Sequence, residues 1–258
     1  MILLFGGTSE TAGLATALAE KGQNVLVSTA TDAPLEIGDH PAIKRCCGRL
    51  DETAIIELIQ REEIKAIVDG SHPYAVALHA TVAAAAQQAK VPCFRYQRET
   101  AAITGEDGLY FVADHDEAAA LAVKLAVPVL LTTGSRQLAP YIELLQSHNI
   151  PLYARVLPHP ESEQACELAG LPAESRIIGR GPFSEVENRQ LIRSKKIGVL
   201  ITKDSGRRGG VAEKISAARK ENCRVIVIQR PVEELEYGQI FDDIEELITT
   251  VNIALNPD

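Results

Sequence analysis

Short β-branched or apolar runs alternate with longer alanine- and leucine-rich stretches along nearly all of this 258-residue chain. That alternation restricts the fold to the α/β class, because strands separated by helical segments form βαβ units and parallel sheets. In the first part the strands are predicted at Ile2–Phe5, Asn24–Ser28, Ile43–Cys46, Ala66–Asp69 and Cys93–Tyr96, with helices beginning near Thr8, Asp51 and Pro73. Gly22 ends the first helix, and Pro73 opens the third where its missing N–H costs nothing.

Around Thr100 the rhythm breaks into Ala-Ala-Ile-Thr-Gly-Glu-Asp-Gly and restarts with a strand at Leu109–Val112. Two domains are expected from this break, 1–100 and 101–258. The second repeats the scheme with strands near Pro128–Thr132, Leu152–Arg155, Arg176–Ile178, Gly198–Thr202 and Arg224–Ile228, and helices from Ser135, Pro160, Ser184 and Arg207. A final amphipathic helix carries Ile244, Leu247, Ile248, Val251 and Leu255 on one face, the pattern of a helix packed on a sheet. Ligands of open α/β sheets bind at the carboxyl ends of strands, so two such domains are expected to enclose a cleft between their strand ends.

The composition, 46% hydrophobic and 24% charged, is that of an ordinary globular protein. A net charge of -9 argues against nucleic acid or an anionic membrane surface as partner, since both require a basic face. Five cysteines, an odd number with no CxxC spacing, support neither a zinc site nor a disulfide framework and fit a reducing compartment. The apolar run at the start is four residues long and meets Gly6-Gly7 at once, which is no targeting segment, and no stretch approaches a membrane span. A cytoplasmic protein is expected.

The first strand runs into Gly6-Gly7-Thr8-Ser9-Glu10. A glycine turn opening a helix offers free N–H groups and a dipole to a pyrophosphate. The turn lacks the later glycines of GxGxxG, so a plain β-α turn capped by Thr8 or Ser9 accounts for it equally well. At the end of the second strand, where NAD enzymes keep a ribose-binding carboxylate, stand Ser28 and Thr29, which favours NADP. Arg49, after Gly48, is placed to meet a 2′-phosphate or else is a solvated residue before a helix.

The fourth strand ends in Asp69-Gly70-Ser71-His72-Pro73-Tyr74, a concentration of hydrogen-bonding side chains. In the second domain the corresponding places hold Thr132-Thr133-Gly134-Ser135-Arg136, Gly181-Pro182-Phe183-Ser184 with Glu187-Asn188, and Thr202-Lys203-Asp204-Ser205-Gly206. Ser184 with Glu187 is a capping box, which explains part of that motif without any ligand. Arg95, Arg98, Arg136, Arg155, Arg180, Lys203, Arg207 and Arg208 recur after strands, against the acidic balance. Guanidinium forks match carboxylates, so such a cleft suits a polyanionic small molecule; taken singly, each reads better as a solvated surface charge, and it is their recurrence after strands that favours the ligand. No GxSxG, HExxH, P-loop or EF-hand pattern appears, and no metal site is expected.

Seven blocks in order, Leu4-Phe5-Gly6-Gly7-Thr8-Ser9-Glu10, Gly48-Arg49-Leu50-Asp51, Ser71-His72-Pro73-Tyr74-Ala75, Arg95-Tyr96, Thr133-Gly134-Ser135, Gly181-Pro182-Phe183-Ser184 with Glu187-Asn188, and Thr202-Lys203-Asp204-Ser205-Gly206 with Gly210 and Glu213-Lys214, resemble the precorrin-6A reductases of cobalamin biosynthesis. The chain departs from that pattern at Asp69-Gly70-Ser71 and at Gln97 and Glu99. The resemblance implies NADPH-dependent reduction of one double bond of the precorrin-6A macrocycle or its cobalt form, and two Rossmann-like domains that exchange a strand. It also implies a polycarboxylate tetrapyrrole as substrate and transfer to or from other corrin-pathway enzymes.

Residues and resemblance together give Gly6, Gly7, Thr8, Ser9, Glu10, Ser28, Thr29, Gly48, Arg49, Ser71 and His72 as expected cofactor contacts. Tyr74, Arg95, Tyr96, Thr133, Gly134, Ser135, Arg136, Gly181, Phe183, Glu187, Asn188, Lys203, Asp204, Ser205, Gly206 and Arg207 are the expected substrate contacts, and His72, Tyr74 and Lys203 the expected catalytic side chains. Two other readings of the glycine turn stay open: an S-adenosylmethionine-dependent tetrapyrrole transferase, and a dinucleotide-binding sensor without catalysis.

Overall fold

A computed structural model describes residues 1–98, 108–206, 210–231 and 239–256. Along the chain run β1 (Ile2–Phe5), α1 (Thr11–Glu20), β2 (Val25–Thr29), β3 (Ile43–Cys47), α2 (Glu52–Arg61), β4 (Ala66–Asp69), α3 (Val76–Ala89) and β5 (Cys93–Tyr96). There follow β6 (Leu109–Val112), α4 (His115–Leu125), β7 (Val129–Leu131), α5 (Ala139–Ser147), β8 (Leu152–Val156), α6 (Pro160–Leu168) and β9 (Arg176–Ile178). The chain ends with α7 (Glu185–Lys195), β10 (Val199–Lys203), α8 (Val211–Lys220), β11 (Arg224–Ile228), β12 (Gln239–Phe241) and α9 (Ile244–Leu255).

The chain forms two compact units, Met1–Glu99 with Pro231–Asp258, and Thr100–Arg230. Each holds a six-stranded parallel sheet, ordered β12-β5-β4-β1-β2-β3 in the first and β6-β11-β10-β7-β8-β9 in the second. The expectation of 101–258 as one C-terminal domain is corrected here at its far end. Residues from 231 onward join the first unit, where β12 pairs with β5 at Phe241 and Tyr96. The expected cut near Thr100 lies outside the described residues.

The reason for the return is burial. All residues of β1, β2 and β4 are buried, so both faces of the first sheet need cover. One face packs on α2 and α3 through Ile55, Leu58, Val82 and Ala85. On the other, Leu14 and Leu18 of α1 meet Leu247, Ile248 and Val251 of α9, the apolar stripe read from the sequence. With β12 counted sixth, the order is the 3-2-1-4-5-6 of a dinucleotide-binding sheet.

Local signals place several helix starts. Asp51 accepts from the Ala54 amide at 2.9 Å and caps α2; Ser184 and Glu187 form the expected capping box of α7. Helices α1, α3 and α5 begin about one turn later than the sequence suggested, because the residues at each turn serve the loop first. The predicted start of α8 at Arg207 lies outside the described residues. Among the described residues no helix is long and apolar enough to cross a membrane.

If α9 belongs to the first core, Leu247→Ala removes a side chain that is 0% exposed there. The expected loss is about 2 to 5 kcal/mol of stability, the range for a buried Leu truncated to Ala, read as a lower urea midpoint of the first unit. An unchanged midpoint refutes this placement.

Candidate functional site

The first unit's sheet reverses its winding between β1 and β4, and the turns leaving these strands define the crevice where such sheets bind ligands. Gly6 donates to the Ser28 carbonyl at 2.9 Å. A Cβ at Gly6 would stand 2.6 Å from Thr11 Cγ2, so no side chain fits there. Gly7 has φ +110°, a conformation glycine adopts without strain. The Thr11 hydroxyl accepts from the Gly7 and Thr8 amides at 3.0 and 3.1 Å. Neither Thr8 nor Ser9 caps α1, as the alternative reading had it; the cap position is Glu10, without a side-chain bond. Thr8 instead donates through Oγ1 to the Gly70 carbonyl at 3.1 Å, tying the two turns together.

Two backbone amides remain. The Ser9 and Glu10 N–H groups bond to no described residue and stand at the amino end of α1, where an anion is favoured. Glu10 was expected among the cofactor contacts. Its carboxylate is enclosed, with the residue 3% exposed; it accepts from Ser9 Oγ at 3.0 Å and pairs with Arg98 at 3.3 Å, so the side chain holds the turn.

The turn after β4 rests on a buried polar network. Asp69 Oδ1 accepts from the Ser71 amide at 3.0 Å and the Ser71 hydroxyl at 2.6 Å; Oδ2 accepts from Arg95 Nη1 at 3.1 Å. Because Ser71 gives its proton to Asp69, its oxygen accepts from His79 Nε2 at 3.0 Å, which sets the His79 tautomer. All four residues are buried. Two of these residues were expected to touch ligands. Arg95 is instead seen paired inside the protein, because the parallel register sets it directly opposite Asp69 and a buried carboxylate requires a partner. The Ser71 side chain likewise bonds within the turn. Tyr96 is half-buried and packs against the first core.

Above this network, His72 Nδ1 accepts from the Tyr74 amide at 3.3 Å, which leaves the neutral ring's proton on Nε2. The two rings lie 5.7 Å apart. At the end of β2, Ser28 and Thr29 are buried and hold no carboxylate, but their hydroxyls are not free either. Thr29 Oγ1 donates to the Thr31 carbonyl and accepts from Arg45 Nε, both at 2.9 Å. Ser28 is the register partner of Cys46, whose thiol pKa is raised by burial against the influence of the Ser28 hydroxyl. Sequence reasoning missed Arg45, which also holds the Thr31 and Ala33 carbonyls at 2.9 Å. The signal was present: alternation along β3 puts Arg45 on the side of Ile43 and Cys47, and Cys47 is the register partner of Thr29. Gly48 and Arg49 follow on the surface.

The second unit has its own reversal between β7 and β10. After β7, the Thr132 hydroxyl donates to the Ile201 carbonyl at 2.9 Å, Thr133 Oγ1 is buried with no bond among the described residues, and Gly134 has φ +87°. Ser135 is half-buried and Arg136 exposed. After β10, burial and then Arg136 lower the Lys203 pKa. The Asp204 side chain accepts from the Gly206 amide at 3.3 Å and lies 3.8 Å from Arg230, so it shapes the turn through Ser205. Beside Lys203, His115 bonds Tyr141 at 2.8 Å, and burial followed by the Lys203 charge pushes its pKa down to about 4. His115 was missed because α4 itself was not read from the sequence.

After β9, Glu187 is spent on Ser184 N and Oγ at 2.8 and 2.7 Å. Asn188 is fully buried, donating to the carbonyls of Phe183 and Ser184. These two, expected to touch substrate, hold the Gly181-Pro182-Phe183 turn in place. Arg207 lies outside the described residues. A cavity of about 300 Å³ lined by Leu109, Ile215 and Val225 sits at the amino ends of β6 and β11, the end away from these turns.

The Asp69 network yields a test. Asp69→Asn is expected to cost about 3 to 5 kcal/mol, as removing one partner of a buried pair does, while the Asp69→Asn/Arg95→Gln double variant loses less than the sum of the two single changes. Near-wild-type stability of Arg95→Ala with a raised substrate KM would return Arg95 to the ligand.

With this geometry in hand, comparison with known proteins is informative. The family model of "Precorrin-6x reductase CbiJ/CobK" matches residues 1–252. A cobalt-precorrin-6A reductase of Priestia megaterium is 34% identical over 250 residues, covering 96% of each chain. A precorrin-6A reductase of Rhodobacter capsulatus is 31% identical, covering 89% of this chain and 88% of that one. The solved structure of CobK precorrin-6A reductase superposes with a TM-score of 0.79 at 25% identity, covering 98% of this chain and 96% of that one. The chain is a member of the precorrin-6x reductase family, oxidoreductases acting on a CH–CH group.

Proposed function

We propose that the protein reduces one double bond of precorrin-6A, or of its cobalt-containing form, with NADPH as hydride donor, in cobalamin biosynthesis. The observation that carries the cofactor assignment is the β1/β4 reversal of a 3-2-1-4-5-6 sheet, with open Ser9 and Glu10 amides at the start of α1 and no carboxylate at the end of β2. Arg45 and Arg49 add positive charge near that strand end, which suits a 2′-phosphate. Five free thiols fit a cytoplasmic location.

NADPH, when bound, supplies a hydride to one carbon of the double bond. The other carbon then takes up a proton, and this chain offers three donors at strand-end turns. His72 presents Nε2–H from a ring fixed by the Tyr74 amide, and its ordinary pKa is nearest neutrality. Tyr74 shares the turn. Lys203 stands in the second unit, its acidity raised by burial. We assign the proton to the His72–Tyr74 turn, with Thr133, Gly134, Ser135, Lys203 and Gly206 as contacts of the macrocycle.

Two measurements test this. Calorimetric titration is expected to give NADPH a dissociation constant about tenfold or more below that of NADH, the value of one good charge-assisted contact; equal constants defeat the NADPH assignment. In single-turnover assays with metal-free and cobalt-loaded substrate run side by side, His72→Ala is expected to slow reduction by more than about a hundredfold, the low end for a general acid, at unchanged NADPH affinity. Weakened NADPH binding at near-normal turnover moves His72 to the nicotinamide pocket.

A further inference from the structure

Glu10 in the glycine turn and Arg98 after β5 meet in the first unit although 88 positions separate them. Arg98 Nη1 lies 3.3 Å from Glu10 Oε1, with the two side chains 11% and 4% exposed. The same oxygen accepts from Ser9 Oγ at 3.0 Å. Backbone pairing brings the arginine there. Gln97 donates to the Phe241 carbonyl at 2.7 Å, so β12 holds the chain as it leaves β5. Strand β5 lies two places from β1, a span of roughly 9 to 10 Å that calls for a long side chain.

Glu10 is an acid in a place that needs explaining. A carboxylate at the start of a helix ordinarily caps it or answers its dipole, yet Glu10 makes no cap bond and is held by Arg98. Holding the turn does not account for the charge, since a neutral amide oxygen would accept the same two hydrogen bonds. Meanwhile the Ser9 and Glu10 amides stay open. A Cβ at Gly7 would meet nothing within 4 Å among the described residues, which leaves room over the turn for a ligand. A pyrophosphate on those amides and an uncompensated Glu10 carboxylate would repel each other, because the acid belongs to the residue whose own N–H is offered.

We propose that Arg98 is a positioning residue for the cofactor: by holding and neutralising the Glu10 carboxylate it keeps the amino end of α1 open and attractive to the pyrophosphate of a nicotinamide dinucleotide. The proposal rests on the reading of that turn as the pyrophosphate site, and it adds the group that makes an acidic turn able to serve. Arg98 acts through Glu10. Because β12 fixes the segment that carries Arg98, the returning end of the chain reaches the cofactor turn through this pair.

The test compares the full-length wild type with Arg98→Met, which keeps an apolar stem, with Glu10→Gln, which keeps the hydrogen-bond acceptor, and with the double variant, each titrated calorimetrically with NADPH. Arg98→Met is expected to raise the dissociation constant about tenfold or more, since it leaves a carboxylate beside the phosphates. Glu10→Gln is expected to lower it about fivefold, the effect of one unit charge a few ångströms away in a water-like medium. The double variant should return to within about threefold of wild type. Two halves of one ion pair are thus expected to act in opposite directions, whereas a pair that only ties the turn together weakens binding whichever half is lost. Glu10→Gln that binds NADPH as wild type does, or more weakly, overturns the proposal. Should Arg98→Met fail to fold, Glu10→Gln decides alone. Wild type that binds neither NADPH nor NADH defeats the cofactor reading itself, a result separate from any variant outcome.

Discussion

A parallel sheet has to be covered on both faces, and in the first unit one face is closed by α1 together with residues from the far end of the chain. Without α9, Leu14, Leu18 and Val27 would look onto solvent beside α1. This requirement sets the architecture. The chain leaves after β5, builds a second six-stranded unit, and comes back to add β12 and α9. The dinucleotide-type sheet is thus finished last in sequence, and its crevice between β1 and β4 rests on a core that both ends of the chain share.

Within that frame the arginines divide by what the register gives them. Arg95 meets Asp69, Arg98 meets Glu10, Arg230 lies near Asp204, and Arg45 binds three oxygens around the end of β2. Each fixes a turn from below. A turn so fixed can present backbone amides and a histidine in one geometry, which lowers the ordering cost when a ligand binds. The arginines after strands were read as a ligand-facing set, but most of those in the first unit support the site from beneath. Arg155 is different because no carboxylate was placed opposite it.

Much of the fold was legible in the sequence, for a physical reason. Strands buried on both faces are continuous apolar runs, and Ile2–Phe5, Ala66–Asp69 and Val199–Ile201 show this plainly. Strand β12 was not legible: Gln239-Ile240-Phe241 is three residues long, with two exposed, and becomes a strand only by pairing with β5. Helix α4 was legible but passed over, since Asp114 accepts from the Glu117 amide as an ordinary cap. In the candidate site the turns were found from their glycines and hydroxyls. Which side chain faces outward was not, because it depends on register and on neighbours distant in sequence, as with Asp69 and Arg95.

On the proposed readings the two units meet anions by different means, and the difference follows from the ligands read for them. A pyrophosphate has a fixed shape and reaches one place at a helix start, so rigid amides such as those of Ser9 and Glu10 suffice. Amides cannot be neutralised by a neighbouring side chain and cannot swing away. Carboxylates on flexible arms of a macrocycle arrive with more freedom, and a guanidinium or ammonium on a side chain can follow them. The cost of that choice is a buried charge before a ligand comes; Arg155 is such a charge, 7% exposed with a neutral amide as its hydrogen-bond partner. A net charge of -9 does not forbid an anionic ligand: it acts weakly beyond roughly 10 Å in salt, whereas a desolvated guanidinium acts at contact distance.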